Sequence, residues 1–87
     1  MKWYRCRVTR VGPAQDAGGT VVYFQLINTQ ASPAWSGPRW FKAPVALQRE
    51  MLAVGISALG AACEVDAVLP EPPDQYSECN RLYMIAP

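Results

Sequence analysis

Glu64 and Asp66 stand two residues apart in a stretch that reads as a strand, so both carboxylates face the same way. Paired carboxylates suit general acid–base chemistry or a hard cation. The groups that would complete either site are missing. The sequence contains no histidine, the commonest proton shuttle and metal ligand. Its serines fall in loops or on a helix, and none lies in a G-x-S-x-G turn. The glycines of "GPAQDAGG" lack the GxxxxGK[ST] spacing that cradles phosphate, so that stretch reads as turn chemistry. Cys6, Cys63 and Cys79 are odd in number and form no CxxC pair, which fits neither a closed disulfide framework nor a zinc knuckle. They read as reduced thiols packed as small apolar residues, with one bridge and a spare thiol the alternative in a secreted protein. The expectation is no catalytic residue, no metal ligand and no cofactor.

A second set of side chains suits binding. Trp3, Arg5, Arg7, Tyr23 and Gln25 fall on the outward positions of the first two strands, and Trp35 and Trp40 follow close behind. Interleaved aromatic and basic residues can stack bases or sugar rings. The competing reading pairs Trp3 with Tyr23 across the strands and the arginines with acids. A formal net charge of +1 lacks the basic excess of a general nucleic-acid binder. The ligand classes expected are therefore a small molecule, sugar or peptide, ahead of DNA or RNA.

The elements that position these residues follow from periodicity. "KWYRCRVTRV" alternates with Tyr4, Cys6 and Val8 inward, and "TVVYFQLINT" with Val22, Phe24 and Leu26 inward, as two strands of a hairpin. "RWFKA" is a short third strand ending at Pro44, which opens a helix running to about Leu59 and stopping at Gly60. "CEVDAVL" is a fourth strand with Val65, Ala67 and Leu69 inward. The prolines of "PEPPDQYSECN" exclude it from a ladder, and "RLYMIA" is the fifth strand. Eighty-seven residues with no linker make a single domain, residues 1–87.

Five strands with one helix between the third and fourth resemble the OB-fold, a five-stranded Greek-key barrel. An open α+β sheet with the helix on one face is the alternative. An OB barrel sets the first strand antiparallel to the fourth, so Arg5 and Arg7 would face Glu64 and Asp66 as a charge ladder. Such pairs are worth roughly 0.2–1 kcal/mol each. "RWFKAP", "REMLAVGISALGAACEVDAVLP" and "YSECNRLYMIAP" also look like a group of small bacterial OB-fold proteins whose layout resembles the receptor-binding B subunits of pentameric toxins. The residues carrying that likeness are Trp40, Phe41, Pro44, Glu50, Met51, Leu52, Ala53, Tyr76, Ser77, Arg81, Leu82 and Tyr83. The resemblance implies a homo-oligomer, with a pentamer as its toxin-like form, but neither a secretion signal nor a matching disulfide accompanies it.

Half of the residues, 51%, are apolar and 17% are charged, a globular balance. No run approaches the ~20 apolar residues that span a bilayer. "MKWYRCRV" has no h-region behind its lysine, so the default location is the cytoplasm, or outside the cell had a leader been removed. The helix is the unusual element. Val45, Leu52, Ile56 and Leu59 form one apolar stripe; Leu47, Met51, Val54 and Ala58 form a second. Together they cover roughly 220°, where a core-facing stripe needs ~100°. The first stripe is expected to plug the barrel and the second to meet another subunit. The expectation is a self-associating, non-enzymatic binding module. Its alternative is a monomeric domain that binds carbohydrate or single-stranded nucleic acid.

Overall fold

Alternate residues of a strand face opposite sides, and here the inward set of each strand forms the core. The computed structural model describes residues 1–16 and 18–86. Strand β1 spans Lys2–Asp16 and β2 Gly19–Asn28, with Tyr4, Cys6, Val8, Val22, Phe24 and Leu26 all buried. Strand β3 is Pro38–Lys42 and β4 is Glu64–Leu69; β4 buries Val65, Ala67 and Leu69. The chain closes with β5, Ser77–Glu78, and β6, Arg81–Met84.

The sheet order is β5-β3-β2-β1-β4-β6, antiparallel except for the parallel β3–β5 pair. Only Cys79 and Asn80 separate β5 from β6. The Cys79 N–H donates to Lys42 O (2.8 Å) on β3, and the Asn80 N–H donates to Val68 O (2.9 Å) on β4. Consecutive residues thus hold the two ends of the sheet, which curls into a barrel-like form around its core. Among the described residues six strands are present where five were expected, because the "YSE" end of the proline-rich stretch pairs briefly with β3.

The stretch "GPAQDAGG" is mostly strand rather than loop. Pairing continues through Pro13↔Val22 to Asp16↔Gly19; Ala17 lies outside the described residues. A bulge makes this possible. Val8 faces Leu26 and Arg10 faces Gln25, so Thr9 is one residue too many and switches the parity of β1. After it, Val11 rather than an even-numbered residue packs on the core.

A 3-10 turn, Val45–Leu47, precedes helix α1, Gln48–Ala61. Pro44 therefore opens the turn rather than the helix, with Leu47 N–H donating to Pro44 O (2.9 Å). Gly60 does not end the helix. Ala62 does, in the left-handed region at φ 55°, where Cys63 N–H reaches Ala58 O (3.0 Å).

The second stripe of α1, rather than the first, supplies most of the core-facing residues, although Leu52 of the first also packs on the core as expected and Leu47 of the second is exposed. Met51, Gly55 and Ala58 face the core, and Val54 and Leu52 are partly buried. Val45, Ile56 and Leu59 are 84%, 56% and 44% exposed. Met51 and Ala58 are thus core residues of the single chain. Gly55 supplies the reason: a Cβ there would lie 2.7 Å from Val11 Cγ2. Close approach to β1 is open only along the glycine line, and its i, i+4 and i+3 neighbours follow it inward. Among the described residues no helix is long and apolar enough to cross a membrane.

Candidate ligand-binding cleft

Three aromatic rings gather on the outer face of β2 and β3. Gln25 is opposite Trp40 and Tyr23 opposite Lys42, so Tyr23 and Trp40 are diagonal neighbours on one face. Their ring centroids lie 6.5 Å apart at 82°; Tyr23 and Tyr76 lie 5.8 Å apart at 78°. Both pairs are edge-to-face, the arrangement that the ring quadrupole favours.

Tyr76 is brought in by the loop before β5. Prolines 70, 72 and 73 keep that loop out of the sheet, yet it is tied along β3. Trp40 N–H donates to Gln75 Oε1 (2.6 Å), and Tyr76 N–H donates to Trp40 O (2.7 Å). Arg39 Nη1 donates to Pro73 O (2.8 Å). Tyr76 sits at φ 65°, which costs a bulky residue about 1–3 kcal/mol and is held by these bonds. Tyr76 as a whole stays 54% exposed.

Asp16, at the end of β1, completes the cleft. Tyr23 Oη donates to Asp16 Oδ2 (2.7 Å). That bond, with lesser help from burial and from the carboxylate's charge, raises the Tyr23 pKa above its ordinary value. Asp16, Tyr23, Trp40 and Tyr76 line a solvent-open cleft of about 590 Å³. A second depression of about 480 Å³ shares Tyr23 and Trp40 and follows residues 9–14 of β1. The two rings therefore stand between adjoining hollows.

The other expected ligand residues divide. Gln25 lies opposite Trp40 on β3 but lines neither hollow, its Oε1 accepting from Thr9 Oγ1 (2.9 Å). Trp35 is a core residue, 4% exposed. Its Nε1 donates to Leu26 O (3.2 Å) and it packs edge-to-face on Tyr4 and Phe41. Asn28 makes this possible: its side chain accepts from Ala34 N–H (2.7 Å) and donates to Arg5 O (2.8 Å), drawing the loop inward.

Trp3, Arg5 and Arg7 lie on the separate β1–β4–β6 face. Trp3 pairs with Tyr83 at 5.6 Å, not with Tyr23. Arg5 is opposite Asp66 and Arg7 opposite Glu64, the register expected of the ladder. Arg5 alone forms its ion pairs, 2.9 Å to Asp66 and 4.0 Å to Glu64; the Asp66 bond chiefly holds its pKa up. Glu64 also accepts from Thr29 Oγ1 (2.6 Å), and Arg7 joins no ion pair among the described residues. The carboxylate pair is thus committed to Arg5 and Thr29. Among the described residues no three His, Cys, Asp or Glu groups gather as a metal site.

All three cysteines are free and buried. Burial pushes the Cys6 and Cys79 thiols up to about 12, far from nucleophilic reactivity at neutral pH.

Sequence reasoning missed Tyr76 and Asp16 as cleft residues. An aromatic directly after a proline-rich loop was the available signal for Tyr76. Asp16 had none, because its place depends on the length of the β1–β2 pairing. No protein-family model, curated protein or solved structure matches this chain.

Proposed function

We propose that this chain is a non-enzymatic binding domain with an OB-like barrel, and that the Tyr23–Trp40–Tyr76 cleft holds a carbohydrate ring. The OB-like reading is supported by the strand order, taking β5 and β6 as two halves of one fifth strand, and by α1 between β3 and β4. In such barrels the face of the second and third strands, with the loops beside it, takes oligosaccharides or oligonucleotides. The observation that carries the function is the cluster itself: Tyr23 edge-on to both Trp40 and Tyr76, the three rings lining one open cleft with a carboxylate on its rim. Aromatic faces pack on the C–H faces of a sugar, and Asp16 accepts from its hydroxyls. A carboxylate in the cleft and a net charge of +1 repel or fail to attract a phosphate backbone. The adjoining hollows suit more than one ring.

The test is a glycan array followed by calorimetry on wild type and Trp40→Ala, with single-stranded DNA titrated at two salt concentrations. A neutral oligosaccharide should bind, and Trp40→Ala should weaken it about tenfold or more, the equivalent of 1.4 kcal/mol. Salt-sensitive DNA binding without any glycan would overturn this in favour of a nucleic-acid domain.

Self-association is a second part of the proposal, favoured by the groove between α1 and β6. Leu47, Met51 and Val54, three of the four residues expected at a subunit interface, line it together with Leu82 and Tyr83.

A further inference from the structure

A β-strand edge left unpaired recruits another strand unless something blunts it. Besides the 19–21 end of β2, where Thr20 O already accepts from Gln48 Nε2 (2.8 Å), this sheet has three open edges among the described residues. The distal arm of β1 is one, and Pro13 sits in it opposite Val22. Proline has no N–H, so its position there faces away from β2 and spoils that edge. The second is β5, only two residues long. The third is β6. Ile85 N–H donates to Glu64 O (2.9 Å), and alternation then turns the backbone groups of Arg81 and Tyr83 towards β4. Those of Leu82 and Met84 point outward, with no proline or lysine among the four residues of the strand.

The surroundings of this edge are apolar and carry one charge of each sign. Tyr83 and Met84 are 54% and 45% exposed. Between β6 and α1 runs a groove of about 620 Å³, floored by Leu47, Met51, Val54 and Leu82 and rimmed by Glu50 and Arg81. Neither Glu50 nor Arg81 joins an ion pair among the described residues.

We propose that two copies of this chain join through β6, antiparallel and two-fold symmetric, with Glu50 of each copy meeting Arg81 of the other. A patch holding one unpaired acid and one unpaired base is complementary to itself under a two-fold axis. Among the described residues the second copy has no other full-length unblunted edge to offer. The ladder extends the sheet across the dimer, and the contact covers the exposed Leu47, Tyr83 and Met84 beside it, which supplies area that a four-residue ladder lacks. This inference rests on the self-association reading and gives it a surface and a symmetry.

Charge reversal tests it. Light scattering on wild type should give twice the chain mass. Glu50→Arg and Arg81→Glu alter exposed residues, so each variant should keep its circular dichroism yet elute as a monomer. Mixing the two should restore the dimer mass, because one copy then presents two bases and the other two acids. A wild type that stays monomeric at millimolar concentration overturns the self-association reading and this inference together. A wild-type oligomer that neither reversal disturbs, or one larger than a dimer, overturns this surface while leaving self-association standing. Capture of an extended peptide by a monomeric wild type would assign the edge to a different occupant and also overturn the dimer.

Discussion

Tyr23 owes its place in the cleft to two partners, a carboxylate and a pair of rings, and the carboxylate can be removed without touching the rings. The Asp16 bond is the largest cause of the raised Tyr23 pKa, followed by burial and by the carboxylate's charge. Asp16→Asn should therefore lower that pKa towards the ordinary value near 10, read from phenolate absorbance during an alkaline titration. The sign for stability follows from linkage. A group whose folded pKa is raised adds stability below its unfolded pKa and loses it as pH climbs through the folded value. Wild type should thus lose the Tyr23 contribution only above pH 10, and Asp16→Asn should lack it throughout. An unchanged phenolate titration would show that Asp16 does not govern Tyr23. At this scale the sequence was partly legible. The register of Arg5 with Asp66 and Arg7 with Glu64 followed from alternation and strand order. That Arg5 takes both acids did not, since it depends on side-chain reach and on Thr29 binding Glu64. Trp35 was misread because a tryptophan in a Ser/Pro/Gly loop gives no sign of the Asn28 bonds that pull it into the core.

The element most open to misreading was α1, whose two apolar stripes offer equal hydrophobic cases for the core. Hydrophobicity could not choose between them; the absence of a side chain at Gly55 did. In a helix alanine is favoured over glycine by about 1 kcal/mol. Yet Gly55→Ala should destabilise the protein by about 1–3 kcal/mol, the usual cost of overpacking, because Val11 is β-branched and cannot swing aside freely. Urea denaturation measures this, and Val11→Ala in the Gly55→Ala background should recover part of the loss. A Gly55→Ala variant more stable than wild type would mean the helix does not depend on that contact. The strands were easier. Inward sets on β1, β2 and β4 followed directly from period two, whereas the Thr9 bulge hid how far β1 continues. A bulge shifts parity without any marker in residue type, so the paired arm to Asp16 resembled a turn.

Across the whole molecule, the order of strands and the single helix between β3 and β4 were legible from periodicity and punctuation. The contact between Tyr76 and Tyr23 was not, since it joins a loop near the end of the chain to an early strand. Long-range closure of the sheet makes that contact: β5 lies on β3, and the loop before it follows β3 outward. The central claim is that this closure builds a ring-binding cleft. The three tryptophans allow one measurement to test it, because each indole N–H reports a different region. Trp40 lies in the cleft, Trp3 on the β1–β4–β6 face and Trp35 in the core. Titration with a neutral oligosaccharide, followed by nitrogen–proton correlation NMR, should shift the Trp40 indole signal in a saturable way and leave those of Trp3 and Trp35 in place. A saturable shift confined to Trp3, or no saturable shift of Trp40 with any glycan that the protein retains, would contradict the account.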